Sequence, residues 1–272
     1  MKNLFQEAEH CLTIADPEAK IAYGMEVVSA WHAVQLEWNS FESPIIINSP
    51  GRLDKPIIVA PKKLKKRGFG SEKQIASLLH ALAHIEITAV NLAWDSICRY
   101  PGMPKEYYND WIDTAKDEGE HFLALRQQIQ LLGFDYGDFP VHGELWNMAV
   151  LTGGNLMHRM AIVHRVLEAR ALDVVPFSVK KFQSINANDT AKVLINIAND
   201  EVNHVAAGTR WYHYCCEKEK LDPEVTFFQL IKQYLHSYPR GPFNEPARKL
   251  AGFSNDELSL LKQYDAEHKK NL

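Results

Sequence analysis

The sequence lacks the long apolar run that a membrane span requires. No stretch approaches the roughly 20 consecutive apolar residues of a transmembrane helix. The opening residues, MKNLFQEAEH, carry acidic side chains where a secretory signal would have an apolar core. Cysteine is also scarce, and its four copies include no C-x-x-C pair: Cys11, Cys98, Cys215 and Cys216. We therefore expect reduced thiols, no membrane partner and a cytoplasmic location.

The sequence also lacks a strong excess of charge of either sign. The 30 Lys and Arg residues nearly balance the 34 Asp and Glu residues, for a net charge of −4. This balance argues against a surface built for nucleic acid. One basic cluster, residues 62–67 (KKLKKR), keeps a phosphate-bearing or RNA partner open as an alternative. With 272 residues, 46% of them apolar, the chain can bury a substantial core.

Strand signals are few, whereas helix start and stop signals are frequent. They predict an all-α fold with helices at residues 17–38, 72–100, 105–133, 155–172 and 188–217, shorter helices at 144–151 and 223–235, and an amphipathic segment from 254. Pro176 is expected to lie past the end of its helix, because proline interrupts helical hydrogen bonding. The similar helix pairs at 71–133 and 155–217 predict a four-helix bundle with one crossover connection. An N-terminal helix and irregular arm (1–70) and a C-terminal helical extension (218–272) complete one structural domain.

Three Glu-x-x-His motifs occur, at residues 7–10, 118–121 and 201–204. With 20 Glu and 12 His residues, chance alone gives about one. The first motif lies in an acidic N-terminal tail with no further glutamate one helix earlier, and we interpret it as the chance match. Each of the other two follows a glutamate one predicted helix earlier, at Glu86 and Glu168.

The pattern Glu…Glu-x-x-His is therefore repeated, in register, on four consecutive predicted helices. A two-metal centre in a helix bundle uses one Glu from each of two helices and Glu-x-x-His from each of the other two. The predicted metal ligands are Glu86, Glu118, His121, Glu168, Glu201 and His204. Buried carboxylates without partners would cost several kcal/mol each, whereas two divalent cations would neutralise all four. The alternative is that these are surface residues of amphipathic helices.

Several neighbouring residues are candidates for supporting roles. Asp117 and Asp200 each precede a Glu-x-x-His motif, and we expect each to hold the histidine of the opposite half by a hydrogen bond. His164, one turn before Glu168, is expected beside the ligands or in a substrate pocket, with a core histidine as the alternative. His84 lies on the other side of its helix from Glu86, which favours a hydrogen-bonded or interface role over metal binding.

Two further patterns lie near the predicted ligands of the second half. Gly208, in the middle of a helix, leaves room either for dioxygen or substrate or for close helix packing. The arginines around Glu168, with Asp173, favour a salt-bridge network that braces the bundle over a substrate clamp. These arginines are Arg159, Arg165 and Arg170.

The doubled Asp-Glu-x-x-His with its upstream Glu resembles the ferritin-like di-iron carboxylate superfamily. That superfamily includes ribonucleotide reductase small subunits, bacterial multicomponent monooxygenases and demethoxyubiquinone hydroxylase. Residues 80–86 (HALAHIE), 161–174 (AIVHRVLEARALDV) and 240–253 (RGPFNEPARKLAGF) resemble, more narrowly, a bacterial ferritin-like family catalogued as a domain of unknown function. The resemblance spans most of the chain and implies a ferritin-like four-helix bundle with a di-metal site, without a substrate. Leu125 stands where the reductase subunits place a radical tyrosine, so radical storage is not implied.

The leading functional hypothesis is an oxidase or hydroxylase that activates dioxygen at two iron ions, with manganese or a mixed Mn/Fe pair as the alternative. Glu118 and Glu201 would bridge the metals, and Glu86 and Glu168 would be terminal ligands. The expected partners are dioxygen, a small-molecule substrate and an electron-donor protein, and the expected assembly is a small homo-oligomer. The alternatives are iron binding, storage or ferroxidation, a tRNA-modifying hydroxylase, and a structural metal site without turnover.

Overall fold

The computed structural model of the protein describes residues 2–39, 43–65, 67–235 and 239–270, so Lys66 of the basic cluster lies outside the described residues. Within these ranges nearly all regular structure is helical, which confirms the all-α prediction. The helices are α1 (Leu4–Thr13), α2 (Pro17–His32), α3 (Glu72–Arg99), α4 (Lys105–Leu131), α5 (Glu144–Thr152), α6 (Leu156–Arg159), a π-helix (Met160–Leu167), α7 (Ala169–Ser184), α8 (Asn188–Glu219), α9 (Pro223–Tyr234), α10 (Glu245–Leu250) and α11 (Asn255–Lys270).

The chain divides into two compact units, residues 1–147 and 148–272. In the first unit, α3 and α4 pack together as a helical hairpin, with α1 against α3 and α2 against α4. Two short parallel strands, β1 (Lys2–Asn3) and β2 (Leu36–Glu37), pair beside this hairpin. In the second unit, α6, the π-helix and α7 follow one another along the chain and pack against α8. Helix α9 packs against the π-helix and α8, and α10 packs against α7 and α8.

Helix α3 is long and apolar enough on average to cross a membrane, alone among the helices in the described ranges, although polar residues interrupt it and it has no continuous apolar run of that length. The structure buries 61% of its most apolar stretch, as expected for the core helix of a soluble protein. Ser71 caps the start of this helix, because its Oγ accepts a hydrogen bond from the Gln74 N–H at 3.3 Å. The Gln74 side chain accepts from the Gly70 N–H at 3.1 Å, one residue earlier than a capping box requires.

The N-terminal segment differs from its prediction in two places. The expected acidic tail is a helix, α1, whose first N–H groups are capped by the Asn3 side chain. The following helix, α2, ends at His32 instead of continuing to Trp38. The chain reverses through Val34, which has a left-handed φ of +57°. The N–H groups of Val34 and Gln35 donate to the carbonyls of Trp31 and Ala30, a Schellman ending that usually contains glycine at the Val34 position.

We expect Val34→Gly to stabilise the protein by about 1 kcal/mol. A β-branched residue is strained at positive φ, and glycine removes this strain. The free energy gained in the folded state exceeds the cost of the extra conformational entropy that glycine gives the unfolded chain. Val34 is 69% exposed, so little packing is lost. Urea denaturation of the variant measures the change. Val225→Gly, at another exposed valine with helical backbone in α9, should destabilise instead; equal effects of the two substitutions would contradict the interpretation.

The helix predicted to end before Pro176 continues through it to Ser184, so that boundary prediction is wrong. Proline cannot donate to the carbonyl four residues earlier, which belongs to Leu172. The Asn244 side-chain amide donates to that carbonyl instead, at 3.0 Å. The Asn244 backbone N–H also donates to Asp173, whose carboxylate accepts two hydrogen bonds from Arg248. The segment after residue 239 therefore supplies the hydrogen bond that proline removes.

Candidate metal centre

Three of the predicted ligands meet inside the unit formed by residues 1–147. Glu86 projects from α3, and Glu118 and His121 project from α4; they are 4%, 1% and 5% exposed. His121 Nδ1 lies 3.5 Å from Glu86 Oε2 and 3.4 Å from Glu118 Oε2. One potential ligand atom from each lies within 4.8 Å of the others, so the group could hold a metal ion.

The sequence places these side chains inside through helix periodicity. Glu118 and His121, three residues apart, share one face of α4 with the buried residues Trp111 and Leu125. Gly119 allows α2 to approach at this level, because a Cβ there would lie 3.0 Å from Ile21 Cγ2. The carboxylates are consequently held in a water-poor interior instead of on a solvated face.

Burial makes this group of two carboxylates and one imidazole electrostatically strained. Burial, with the neighbouring Glu118 charge, raises the pKa of Glu86 to about 8. Burial alone would lower the pKa of His121, but the carboxylates of Glu118 and Glu86 outweigh it and raise that pKa to about 12. Among the described residues, none donates a hydrogen bond to the buried Glu86 Oε2, and His121 Nδ1 approaches it only to 3.5 Å. The site therefore favours a bound proton or cation.

Residues 148–272 contain the second set of predicted ligands. Glu168 directly follows the π-helix, and its N–H donates to the Val163 carbonyl five residues earlier at 3.0 Å. Such π segments occur frequently at functional sites, where they change the direction of side chains. The Glu168 carboxylate pairs with His164 at 2.8 Å between Oε2 and Nδ1, and both side chains are almost fully buried. His164 is thus in direct contact with a predicted ligand.

Glu201 and His204 lie one helical turn apart on α8, and both are buried. The distance between Glu201 Oε2 and His204 Nδ1 is 3.9 Å. Gly208, one turn further, packs closely: an added Cβ would lie 2.5 Å from the Cβ of His164. The glycine therefore brings the backbone of α8 against the π-helix, in agreement with the close-packing interpretation.

The residues predicted to support the ligands lie in less buried positions. The Asp117 carboxylate lies 3.1 Å from Lys116 Nζ and is 30% exposed, and Asp200 is half-buried. Their hydrogen bonds to the histidines of the opposite half stay predictions. His84 Nδ1 lies 2.8 Å from Tyr136 Oη, which agrees with a hydrogen-bonded role.

Sequence reasoning missed a buried lysine in the same unit. Lys20 of α2 is 1% exposed and occupies the helix stripe that also contains the buried residues Gly24, Val27 and Trp31. In the sequence, the sign of this burial is that a lysine occupies an otherwise apolar stripe of a predicted helix. A buried cation away from carboxylates requires its own explanation.

Comparison with known proteins identifies a family and a relative that match most of the chain. The family described as "Protein of unknown function (DUF455)" matches residues 13–259. A protein of Haemophilus influenzae, described as an uncharacterized protein, is 38% identical over 221 residues, which are 79% of this chain and 76% of that protein. No solved structure matches the chain. Because the family match covers most of the sequence, the chain belongs to the family of proteins of unknown function DUF455.

Proposed function

We propose that this protein binds two metal ions, most simply iron, and activates dioxygen to oxidise a small-molecule substrate. The observation that carries the proposal is the buried Glu86 oxygen, which lacks a hydrogen-bond donor among the described residues and lies beside Glu118 and His121. A cation would remove the repulsion between the two carboxylates and replace the missing donor. Carboxylate and imidazole ligands suit iron and manganese.

The proposed centre combines this group with its counterpart in residues 148–272. Each unit contains one Glu and one Glu-x-x-His pair on buried helix faces, the ligand set of a two-metal helix bundle. Two divalent cations would balance the four carboxylates. We assign the ligands as Glu86, Glu118, His121, Glu168, Glu201 and His204, within a ferritin-like bundle formed by residues 71–217.

Each side chain has a distinct role in this proposal. Glu118 and Glu201 would be shared between the two ions, while Glu86 and Glu168 would each hold one of them. His164 orients the Glu168 carboxylate through their 2.8 Å contact. Two Fe(II) ions held this way would supply two electrons to dioxygen, and a nearby C–H bond would supply the other two, so that one oxygen atom would enter the substrate and the other, with two protons, would leave as water. The proposed electron-donor protein would then reduce the iron again. The surrounding apolar side chains exclude water from the reacting groups.

An iron titration with simultaneous measurement of dioxygen tests the proposal. We expect about two iron ions per chain after anaerobic loading, followed by consumption of dioxygen in proportion to the di-iron sites. No tyrosyl radical should appear at position 125, which is Leu125. His121→Ala should remove most of the iron. His10→Ala, in the Glu-x-x-His motif of α1, is the matched control and should retain it.

Each contrary result selects a different function. Uptake of tens of irons per chain by a large shell would replace the enzyme by an iron store. Saturation at about two irons without dioxygen consumption would indicate a structural metal site. A purified protein that binds only trace metal would contradict the metal centre itself.

A further inference from the structure

A second candidate site lies within residues 1–147, on the side of α3 away from Glu86. It is a cavity of about 230 Å³ between α2, α3, the arm that precedes α3 and the start of α5. His84, Thr88 and Asn91 of α3 line it, and helical periodicity places them on roughly the opposite face from Glu86. The cavity is therefore separate from the proposed metal ligands of this unit.

Lys20 is the buried polar group of this cavity. Its Nζ donates to the Leu12 carbonyl at 3.0 Å and to Asn91 Oδ1 at 2.6 Å. The Asn91 amide is itself fixed, because its Nδ2 donates to the Ile87 carbonyl at 3.0 Å. In the described part of the chain, no carboxylate forms an ion pair with Lys20.

This hydrogen-bond arrangement suits a neutral amine. A neutral lysine has two N–H groups, which match the two acceptors, and its lone pair is left over. Burial lowers the pKa of Lys20 to about 7, with a smaller opposing effect of Cys11. A substantial fraction of the protein therefore holds a nucleophilic amine at neutral pH.

The charged groups at the border of the cavity favour an anionic ligand. Arg52 and Lys55 border the cavity, and none of the described lining residues is acidic. Arg52 is held in place, since its Nη1 donates to the carbonyls of Leu53 and Pro56 at 3.3 and 3.2 Å. The volume suits a small molecule, and Ile58, Ile87 and Trp146 supply apolar contact.

We propose that this cavity binds a small anionic aldehyde or ketone, bearing a carboxylate or phosphate, and that Lys20 forms an imine with it. The Nζ lone pair attacks the carbonyl carbon, and an amine proton moves to the carbonyl oxygen to give a carbinolamine. Loss of one water molecule then leaves the C=N bond. The step needs neither oxidant nor reductant. Arg52 and Lys55 hold the anionic group.

Reductive trapping tests the imine directly on the intact protein. The protein is incubated with glyoxylate, glyceraldehyde 3-phosphate or uncharged glycolaldehyde in the presence of cyanoborohydride, and modified lysines are mapped by peptide mass spectrometry. Because burial lowers the pKa of Lys20, its neutral fraction at pH 7 is far above that of an exposed lysine. We expect Lys20 to be the main modified lysine. At least one of the anionic aldehydes should label it about tenfold faster than glycolaldehyde does.

Lys20→Met should lose the main site of labelling, and if this variant does not fold, the comparison between the lysines of the unmodified protein still tests the imine. Arg52→Gln, at an exposed loop position, should lower the ratio of anionic-aldehyde labelling to glycolaldehyde labelling at Lys20 several-fold. Arg170→Gln, at an exposed arginine in residues 148–272, is the matched control and should leave this ratio unchanged. Labelling of Lys20 no faster than the other lysines would overturn the proposed imine. Equal labelling by all three aldehydes would overturn the anion selectivity, and the ratio of glyoxylate to phosphate labelling identifies the anionic group.

Discussion

Replacement of Arg165 by methionine should destabilise the protein by about 3–5 kcal/mol, because it leaves a buried carboxylate without its cation. Arg165 is fully buried, and its Nη2 donates to both oxygens of Glu257 at 2.8 and 3.0 Å. Its Nε donates to Thr209 Oγ1 at 3.1 Å. Three aromatic rings surround the guanidinium group within 5 Å, those of Tyr212, Phe227 and Phe253.

Glu257 has a second function that increases this effect. Its carboxylate accepts from the Ser254 N–H at 2.9 Å, and Ser254 Oγ accepts from the Glu257 N–H at 3.0 Å. This reciprocal pair is a capping box at the start of α11. Loss of Arg165 therefore disturbs both the core and the docking of the last helix.

The free energy of unfolding from urea denaturation measures the change. Arg170→Met is the matched control, because Arg170 is 47% exposed and lies 3.8 Å from Asp173; we expect at most about 1 kcal/mol. The double variant Arg165→Met with Glu257→Gln should recover part of the loss, since the unpaired charge is gone. Equal effects of the two single arginine variants would contradict a buried ion pair.

Removal of metal should lower the melting temperature, and the difference between loaded and metal-free protein should grow with pH. In the metal-free protein, the pKa values of Glu86 (about 8) and His121 (about 12) are raised by folding. The folded protein therefore keeps protons on these two groups at pH values where the unfolded chain has released them. Stability linked to Glu86 is complete below about pH 4.5 and is lost as the pH rises toward 8. For His121 the loss begins above about pH 6.5 and continues toward 12.

In the metal-loaded protein, the stability contributed by the bound metal should increase as the pH rises. Metal competes with protons for the same atoms, so its affinity increases as the pH rises. A ligand present at a thousand times its Kd adds about 4 kcal/mol of stability. Calorimetry between pH 5 and pH 9, with and without Fe(II) under anaerobic conditions, measures both curves.

Glu118→Gln should abolish this dependence on metal while it preserves the shape of the side chain. Glu120→Gln provides the matched control, because Glu120 lies on the same helix, is 55% exposed and pairs with Lys116 at 3.2 Å. It should bind metal like the unmodified protein. Superimposable melting curves for metal-free and loaded protein would contradict a metal site at Glu118.

The sequence was most informative where periodicity and chemistry coincide. Glu118 and His121, three residues apart on an apolar stripe, can be placed on one buried helix face from the sequence alone. Pairing with Glu86 followed from the repeated spacing, and the structure brings the three together. Helix starts at Ser71 and Asp16 were equally predictable, because local capping determines them.

Contacts between distant segments could not be predicted in this way. The pairing of Arg165 with Glu257 joins residues far apart in the chain, and no local pattern identifies the partner. Val34 adopts a conformation that its side chain disfavours, so propensity favours a longer α2 than the structure contains. Lys20 was overlooked because a single lysine in an apolar stripe gives no motif, and its cavity is formed by segments that are far apart in the sequence.

The continuation of the helix through Pro176 has a consequence for the order of biosynthesis. The Leu172 carbonyl receives its hydrogen bond from Asn244, which leaves the ribosome long after the proline. The C-terminal half of α7 therefore gains its full stability only when translation is nearly complete. In a nascent chain truncated before residue 244, the part of α7 that follows Leu172 should be frayed, so full stability of the helix that begins one residue after Glu168 is a late event, which follows synthesis of the C-terminal segment.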